Sequence, residues 1–235
     1  MAKIIYNRKI DNNIYHLKID GNFEGSRGQF YMLRDWDGYH PVLSRPFSIF
    51  DRDSQSISFI YQVVGEGTRL LSKLKKEDNI QIFGPYGKGF PSAKGKVALI
   101  GGGMGLAALY LAAKELKADA KVELVDIYLG FKEKAVLADY FEKVAHKLII
   151  DIGGLISQRV NVNLYDYIFT CGPEEMMKAI VKQKKGQHPQ IFISLERRMG
   201  CGLGACLSCT CQTSKGNKYT CQDGPVFRGE EIFFA

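Results

Sequence analysis

Residues 199–211 read Met-Gly-Cys-Gly-Leu-Gly-Ala-Cys-Leu-Ser-Cys-Thr-Cys, and one more cysteine follows at position 221. The cysteines at 201, 206, 209 and 221 therefore follow the pattern C-x4-C-x2-C, with a fourth cysteine after eleven further residues. This is the plant-type ligand spacing of a [2Fe–2S] cluster, which is held by four thiolates. The glycines between the ligands let the chain turn tightly and let backbone N–H groups point at sulfur. We therefore expect a small C-terminal [2Fe–2S] domain with Cys201, Cys206, Cys209 and Cys221 as its metal ligands.

Two other interpretations of these cysteines are open. A structural zinc site usually pairs its ligands as C-x2-4-C with a distant second pair, so three crowded cysteines suit zinc poorly. Disulfides need an oxidising compartment, but no signal peptide is recognisable, so we expect a cytoplasmic chain with reduced thiols. Cys211 is an alternative third ligand because Cys209-Thr-Cys211 offers two choices, although the spacing favours Cys209.

Composition limits the possible functions. The chain has 235 residues, 46% of them hydrophobic and 24% charged, which are ordinary globular values. We expect no membrane span, because no run approaches eighteen apolar residues. The formal charge of +7 suits an anionic partner or a phosphorylated cofactor. We expect no nucleic-acid binding, because no basic stripe with interleaved aromatic residues is present.

The hydrophobic period changes along the chain. Apolar residues alternate with polar ones at 15–19, 57–63 and 80–82, and turn residues separate these runs, which predicts an antiparallel β-barrel. Beyond them, short apolar strands alternate with helical stretches, which predicts a parallel sheet with helices on its faces. The predicted strands are 96–100, 122–129, 148–150, 167–170 and 190–194, and the predicted helices follow Gly105 and span 135–146 and 174–184. We expect an α+β multidomain protein with a β-barrel domain (1–94), an α/β nucleotide domain (95–194) and the cluster domain (195–235).

Glycine-rich segments lie at two predicted strand ends. Gly101-Gly-Gly-Met-Gly105 would let a pyrophosphate approach the backbone at a helix start, although Leu106 takes the place of the third glycine in G-x-G-x-x-G. Cys171-Gly-Pro173 forms a second strand-to-helix junction. Each segment alone could equally be a simple turn or helix start.

Two segments of the predicted barrel offer phosphate and ring contacts. In Arg45-Pro-Phe-Ser48, the arginine can fork onto a phosphate, and the phenylalanine and serine can hold a flat ring. Gly67-Thr68, at a predicted helix start, can take another phosphate. By itself each segment is also an ordinary strand end or turn.

Taken in this order, the motifs resemble those of the ferredoxin-reductase-like family of flavoproteins, and within it the electron-transfer subunits of NAD-linked (class 1B) dihydroorotate dehydrogenases. The tail adds to the resemblance, from Ser194-Leu-Glu-Arg-Arg198 through the cysteines to Cys221-Gln-Asp-Gly-Pro-Val-Phe227. The resemblance covers nearly the whole chain. It implies FAD, NAD(H) and a [2Fe–2S] cluster as cofactors and a role in pyrimidine biosynthesis. It also implies an FMN-containing dihydroorotate dehydrogenase catalytic subunit as the partner, in a heterotetramer with two copies of each chain.

The resemblance also implies roles for individual residues, and none of them is a catalytic acid, base or nucleophile. It implies FAD contacts from Arg45, Pro46, Phe47, Ser48, Ile60, Tyr61 and Gln62, pyrophosphate contacts from Gly67 and Thr68, and a nicotinamide nucleotide site bordered by Gly101, Gly102, Gly103, Gly105, Cys171, Gly172 and Pro173.

Three positions depart from the family pattern. Gln62 stands where arginine is common, Ala108 replaces a proline, and the segment 151–154 differs from the usual nicotinamide loop. We therefore expect NAD(H) to bind weakly or to need the partner subunit, and Glu133 beside Lys132 favours NAD over NADP. Two alternative functions are open: an NAD(P)H reductase component of another redox complex, serving a hydrogenase, a sulfur reductase or a ferredoxin, and a non-enzymatic redox sensor.

Overall fold

The computed structural model describes residues 1–35 and 41–234. Its first part is a sheet of seven antiparallel strands in the order β4-β3-β7-β1-β2-β6-β5. The strands are β1 (Ala2–Asp11), β2 (Ile14–Asp20), β3 (Phe30–Arg34), β4 (Arg45–Ser48), β5 (Asp51–Arg52), β6 (Ser56–Gln62) and β7 (Asn79–Tyr86), and helix α1 (Glu66–Leu71) precedes β7. The three predicted runs of alternating residues lie in β2, β6 and β7. Closure of this sheet into a barrel stays a prediction.

The second part is a six-stranded sheet in the order β10-β9-β8-β11-β12-β15. The first five of these strands are parallel, and β15 is antiparallel to β12. The strands are β8 (Gly95–Gly102), β9 (Val122–Phe131), β10 (Lys147–Ile152), β11 (Tyr167–Cys171), β12 (Gln190–Ser194) and β15 (Val226–Arg228). The helices are α2 (Tyr110–Ala118), α3 (Ala138–Glu142), α4 (Glu174–Lys182) and α5 (Gly229–Ile232), with 3-10 turns at Gly103–Ala108, Ile156–Gln158 and Val162–Leu164. A parallel α/β layer is therefore confirmed.

The cysteine-rich segment lies between β12 and β15. It contains a two-stranded hairpin of β13 (Thr210–Thr213) and β14 (Gly216–Tyr219). Because β15 completes the second sheet, the tail is tied at its far end to the α/β layer. The domain boundaries at 94/95 and 194/195 stay predictions.

Two predicted helices differ from the structure. The chain after β8 first forms the 3-10 turn Gly103–Ala108, and α2 begins only at Tyr110. The helix predicted over 135–146 is reduced to α3. Leu137, directly before α3, has a left-handed conformation (φ 61°), so the helix does not extend further toward the N-terminus. Val136 and Leu137 pack against the core. Packing against the core therefore overrides helical periodicity there.

One hydrophobic core joins the two layers. Phe50, which follows β4, stacks on Tyr110 of α2 with ring centroids 4.5 Å apart. Ile14 and Ile60 of the first sheet belong to the same buried cluster as Leu106 and Leu109. The candidate functional site is a cavity between the same two layers. No helix within the described ranges is long and apolar enough to cross a lipid bilayer.

Candidate functional site

A cavity of about 260 Å³ lies between the two layers. One wall is formed by residues of β4 and β6. The facing wall is formed by the 3-10 turn at Met104, Ala107 and Ala108 and by residues 194–197. Because the lining is mostly aromatic and aliphatic with a few polar groups, the cavity suits a planar ring. Six residues predicted to contact flavin line it together: Pro46, Phe47, Ser48, Ile60, Tyr61 and Gln62.

The predicted phosphate-binding residues of the first sheet lie next to one another. A Cβ atom added to Gly67 would be only 2.7 Å from Nε of Arg45, so the guanidinium lies directly over this glycine. The Thr68 hydroxyl accepts hydrogen bonds from the N–H groups of Val64 and Gly65 and donates to the Gly65 carbonyl, so it builds the turn before α1. Arg45, Gly67 and Thr68 are thus brought together, although none of them lines the cavity.

The two glycine-rich segments interlock at the ends of β8 and β11. A Cβ atom on Gly105 would be 2.4 Å from the carbonyl oxygen of Cys171, and one on Gly102 would be 2.8 Å from Cδ of Pro173. Gly172 has a φ of 151°, and a Cβ atom there would meet the Gly102 backbone at 2.9 Å. Gly105 and Gly172 are therefore required by backbone packing and Gly102 by the side chains against it, whereas nothing lies within 4 Å of a Cβ atom on Gly103, which opens into the clefts described next.

A second, more apolar cleft of about 490 Å³ lies at the carboxyl ends of the parallel strands. Open α/β sheets bind ligands at this edge. Gly102, Gly103 and Pro173 line the cleft together with Lys132 and the segment 153–157. Asp151, in the segment that departs from the family pattern, is buried and pairs with Arg159 at 3.3 Å.

A third cleft of about 310 Å³ borders both of the others. It shares Gln62 and Met104 with the cavity and Gly103 and Lys132 with the apolar cleft, and Glu133 lies on its wall. Lys134 reaches across it to Asp11 at the end of β1, with nitrogen and oxygen 2.8 Å apart. This ion pair lowers the pKa of Asp11. The third cleft therefore lies between the first cavity and the ends of the parallel strands and shares wall residues with both clefts.

An acidic side chain that sequence reasoning did not single out lies at the first cavity. Glu196 lines its wall and is open to it, yet the surrounding protein desolvates the carboxyl and raises its pKa. A ligand that filled the cavity would bury this group further. Arg197 lines the same wall and pairs with Glu174 at the start of α4. A glutamate with a raised pKa holds its proton to higher pH and can then donate a hydrogen bond.

In the cysteine loop (residues 200–209) and at Cys221, the sulfurs accept hydrogen bonds from backbone N–H groups. Such N–H···S bonds stabilise the negative charge of thiolates and of iron–sulfur clusters. The donor–sulfur distances are 3.1–3.4 Å. Sγ of Cys201 accepts from the N–H groups of Leu203 and Cys206, and Sγ of Cys206 accepts from that of Cys201. Sγ of Cys209 accepts from the N–H group of Cys221, and Sγ of Cys221 accepts from that of Gly204. All four predicted ligands therefore receive at least one backbone hydrogen bond.

The four sulfurs differ in their surroundings. Cys209 and Cys221 are 1% and 2% exposed, whereas Cys206 is on the surface. Hydrogen bonds, first of all from Ser208, lower the pKa of Cys206 to about 6, and burial raises that of Cys221 to about 12. Metal binding would have to displace the proton of Cys221.

The donor set fits an iron–sulfur cluster. The sulfurs of all four predicted ligands are linked to one another through backbone N–H groups of the same segment. A two-iron core spreads its four thiolates over two irons. Cys211 is buried in a separate hydrophobic cluster under the second sheet, with Leu195 and Phe227.

Sequence reasoning missed several residues of the cavity wall: Phe30, Met104, Glu196, Arg197, Met199 and Pro225. For Phe30 a signal existed, since the apolar run 30–33 is typical of a strand buried on both faces. The others lie in irregular segments, where local pattern carries no such signal.

The sequence around the cysteines matches the family described as the iron-sulfur cluster binding domain of dihydroorotate dehydrogenase B, over residues 196–233. The chain is 45% identical over 241 residues to the dihydroorotate dehydrogenase B (NAD(+)) electron transfer subunit of Clostridium acetobutylicum, covering 99% of this chain and 96% of that protein. It is 36% identical over 242 residues to the subunit of the same name from Clostridium perfringens, covering 99% and 97%.

Solved structures of reductases share the fold. The NADH-dependent reduced ferredoxin-NADP oxidoreductase, studied for flavin-based electron bifurcation, superposes with a TM-score of 0.88 at 27% identity, over 99% of this chain and 89% of that one. A ferredoxin NADP+ reductase from Neisseria gonorrhoeae with bound FAD and NADP has a TM-score of 0.65 at 15% identity, over 82% and 96%, which shows the fold alone.

Fold and site together define a ferredoxin-reductase-like oxidoreductase with an added cysteine-rich segment. Within that class, the chain belongs to the family of dihydroorotate dehydrogenase B (NAD(+)) electron transfer subunits.

Proposed function

We propose that this chain is the electron-transfer subunit of an NAD-linked dihydroorotate dehydrogenase and that it carries FAD and a [2Fe–2S] cluster. The observation that carries the proposal is the cavity shared by the Arg-Pro-Phe-Ser segment, the glycine-loop turn and the start of the cysteine segment. A bound flavin supplies the link between the two-electron chemistry of a nicotinamide and the one-electron chemistry of a cluster. The cavity borders the cysteine segment through Phe30 and Met199 and shares Gln62 and Met104 with the cleft at the glycine loop, which supports such a relay.

The residues of the first sheet would bind and orient the flavin. Pro46, Phe47 and Ser48 on β4 and Ile60, Tyr61 and Gln62 on β6 would surround the ring, in a sheet that we infer closes into a barrel. Arg45, placed over Gly67 and next to Thr68, would hold a phosphate of FAD. Glu196 would meet the ring system from the other wall.

The second sheet would bind NAD(H) in the clefts at its carboxyl edge. Gly101, Gly102, Gly105, Gly172 and Pro173 would shape the two interlocked turns, and Gly103 would face the ligand directly. We infer NAD rather than NADP because Glu133 lies beside Lys132 on the cleft wall, where it would repel an additional phosphate.

The cysteine loop would hold the cluster through Cys201, Cys206, Cys209 and Cys221 and connect the chain to its partner. That partner would be an FMN-containing dihydroorotate dehydrogenase catalytic subunit, with two copies of each chain. This division of labour accounts for the absence of an assigned acid–base pair here, since the organic substrate would react on the other subunit.

An anaerobic titration with NADH, followed by the visible spectrum, tests the proposal. We expect bleaching of flavin absorbance together with that of a two-iron cluster, with FAD released on denaturation. Addition of the catalytic subunit should then produce dihydroorotate-dependent NAD reduction. Protein that contains neither iron nor flavin after anaerobic preparation would refute the proposal.

A second candidate is supported by the structural similarity to the NADH-dependent reduced ferredoxin-NADP oxidoreductase. The chain would then be the reductase component of another redox complex. Reduction of ferredoxin by NADH, with no complex formed with a dihydroorotate dehydrogenase, would favour this candidate.

A further inference from the structure

Strand β3 presents two side chains to the cysteines. Side chains alternate between the faces of a strand, so Phe30 and Met32 share one face while Tyr31 and Leu33 point to the other. Tyr31 and Leu33 pack in the core of the first sheet. Phe30 and Met32 are each 2% exposed and pack against Cys209 and Cys221. The two most buried cluster ligands therefore rest on one face of this strand.

Phe30 also lines the cavity proposed for flavin. It is paired across the β3–β4 ladder with Ser48, another cavity residue. Met199, directly before the cysteine loop, likewise lines the cavity and packs against the group of Phe30, Cys209 and Cys221. Among the residues that the structure describes, Phe30 and Met199 are the two non-cysteine side chains that belong both to the cavity wall and to this group.

The other pair of ligands faces outward. Cys206 is exposed and Cys201 is partly exposed, and each accepts a hydrogen bond from the N–H group of the other. Leu203 and Leu207, between and after them, are 60% and 50% exposed. The cysteine loop thus has an inner side on Phe30 and Met199 and an outer side at the surface.

We propose that electrons pass between the flavin and the cluster across the layer formed by Phe30 and Met199, on the side held by Cys209 and Cys221. The proposal rests on the flavin and cluster sites of the proposed function. When bound, the flavin would take a hydride from NADH and release NAD, and the cluster would take up one electron at a time. Phe30 and Met199 would hold the two groups at a fixed separation. The first electron would have to pass on from the cluster to an acceptor in the partner subunit before the second could follow, and after both electrons had left, the reduced flavin would release one proton to solvent.

The layer acts by packing. A densely packed contact excludes water and holds its two sides at a fixed separation. Replacing the Phe30 ring by a smaller side chain would leave space or let the cysteine loop shift. We expect a slower transfer, because the rate of electron transfer falls as the separation of the two redox groups grows.

The test uses three variants of the full chain loaded with flavin and cluster. Phe30→Leu and Met199→Ala alter the layer, and Leu33→Val alters the opposite face of the same strand as a matched core control. Iron, labile sulfide and flavin contents are measured first. Reduction of flavin and cluster by NADH is then followed by stopped-flow absorbance and freeze-quench electron paramagnetic resonance, and the cluster potential is measured by redox titration.

We expect the rate of cluster reduction to fall relative to the rate of flavin reduction in Phe30→Leu and Met199→Ala, at an unchanged cluster potential, and we expect wild-type behaviour in Leu33→Val. Equal rates in all variants would overturn the proposal, as would equal slowing in the control or a change in cluster potential large enough to account for the slowing. If Phe30→Leu does not retain flavin, Met199→Ala alone decides. A wild-type chain without flavin or cluster would instead refute the proposed function, which the content measurements reveal before any rate is measured.

Discussion

Gly67 is fitted to Arg45 so closely that the smallest side chain added there must displace the guanidinium. The nearest contact of an added Cβ atom would be Nε of Arg45 at 2.7 Å. Arg45 also donates a hydrogen bond to the Leu43 carbonyl, so Gly67→Ala must move a side chain that is held in place, and it should weaken FAD retention. The loss should approach that of Arg45→Ala, about 1.5–3 kcal/mol for a hydrogen bond to a charged group.

Gly65 provides the matched control for this prediction, since nothing lies within 4 Å of a Cβ atom placed on it. Its φ of −167° is an extended conformation that alanine also adopts. Flavin retained after dialysis, measured by fluorescence of the released cofactor, should fall for Gly67→Ala and hold for Gly65→Ala. Equal retention in both variants would show that Arg45 does not hold the flavin from this position.

The cysteines separate into ligands and a bystander. Cys209→Ala should abolish the cluster, because it removes a sulfur that receives a backbone hydrogen bond and lies against Phe30. Cys211→Ala should keep the cluster, because that side chain lies in a different core. Iron and acid-labile sulfide per chain, with the visible spectrum, measure the outcome. Cluster loss in Cys211→Ala at unchanged stability would reverse the ligand assignment.

At the scale of elements, strands could be predicted more reliably than turns. Strand β12 has the bounds expected from sequence, since a short apolar run of this kind fits a buried parallel strand. The helix expected at 135–146 is mostly absent, because Leu137 adopts a left-handed conformation that packing against the core imposes. Periodicity reports which faces are buried, and it carries no information about such a local backbone choice.

The contact between β2 and α3 should make stability depend on pH. His16 on β2 is enclosed by the rings of Tyr6, Phe50 and Tyr140, and its Nδ1 lies 3.3 Å from the Tyr140 hydroxyl. Burial lowers the pKa of His16 from 6.5 to about 4. The unfolded chain therefore binds the proton more readily between these values. The free energy of unfolding therefore keeps the full contribution of His16 above pH 6.5 and falls by about 3 kcal/mol as the pH is lowered toward 4.

Urea unfolding at several pH values between 7 and 4 measures this effect. His16→Phe keeps a ring in place and removes the titrating group, so its free energy of unfolding should fall less steeply over the same interval. Identical slopes for the two proteins would mean that His16 is not the group responsible.

At the scale of the whole molecule, the cofactors and the cavity wall formed by β4 and β6 could be predicted, but the facing wall could not. The cysteine spacing and the Arg-Pro-Phe-Ser segment are short patterns whose residues act together locally. The cavity, in contrast, is assembled from strands, a 3-10 turn and residues 194–197, which are far apart in sequence. Phe30 and Met199 are 169 positions apart and meet at the cysteines. Such contacts between residues far apart in sequence depend on how the two sheets pack, which no local sequence pattern encodes.

The outer side of the cysteine loop is the surface at which the partner subunit should dock. Arg198 is exposed beside the loop, whereas Arg197 is tied to Glu174 and lines the flavin cavity, so Arg198 is the better probe of the interface. Arg198→Glu, combined with Leu207→Asp, should weaken the complex with a dihydroorotate dehydrogenase catalytic subunit, because it places acidic groups on an apolar and basic surface.

The double variant should affect one of two measured activities and not the other. Reduction of its flavin by NADH should stay at the wild-type rate, while dihydroorotate-dependent NAD reduction in the co-expressed complex should fall by roughly tenfold or more, as expected when interface contacts worth about 1.4 kcal/mol or more are lost. Lys218→Glu, on the hairpin strand β14, reverses a charge outside residues 200–209 and serves as the control. If the double variant binds and turns over like the control, the partner docks elsewhere and electrons leave the cluster by another face.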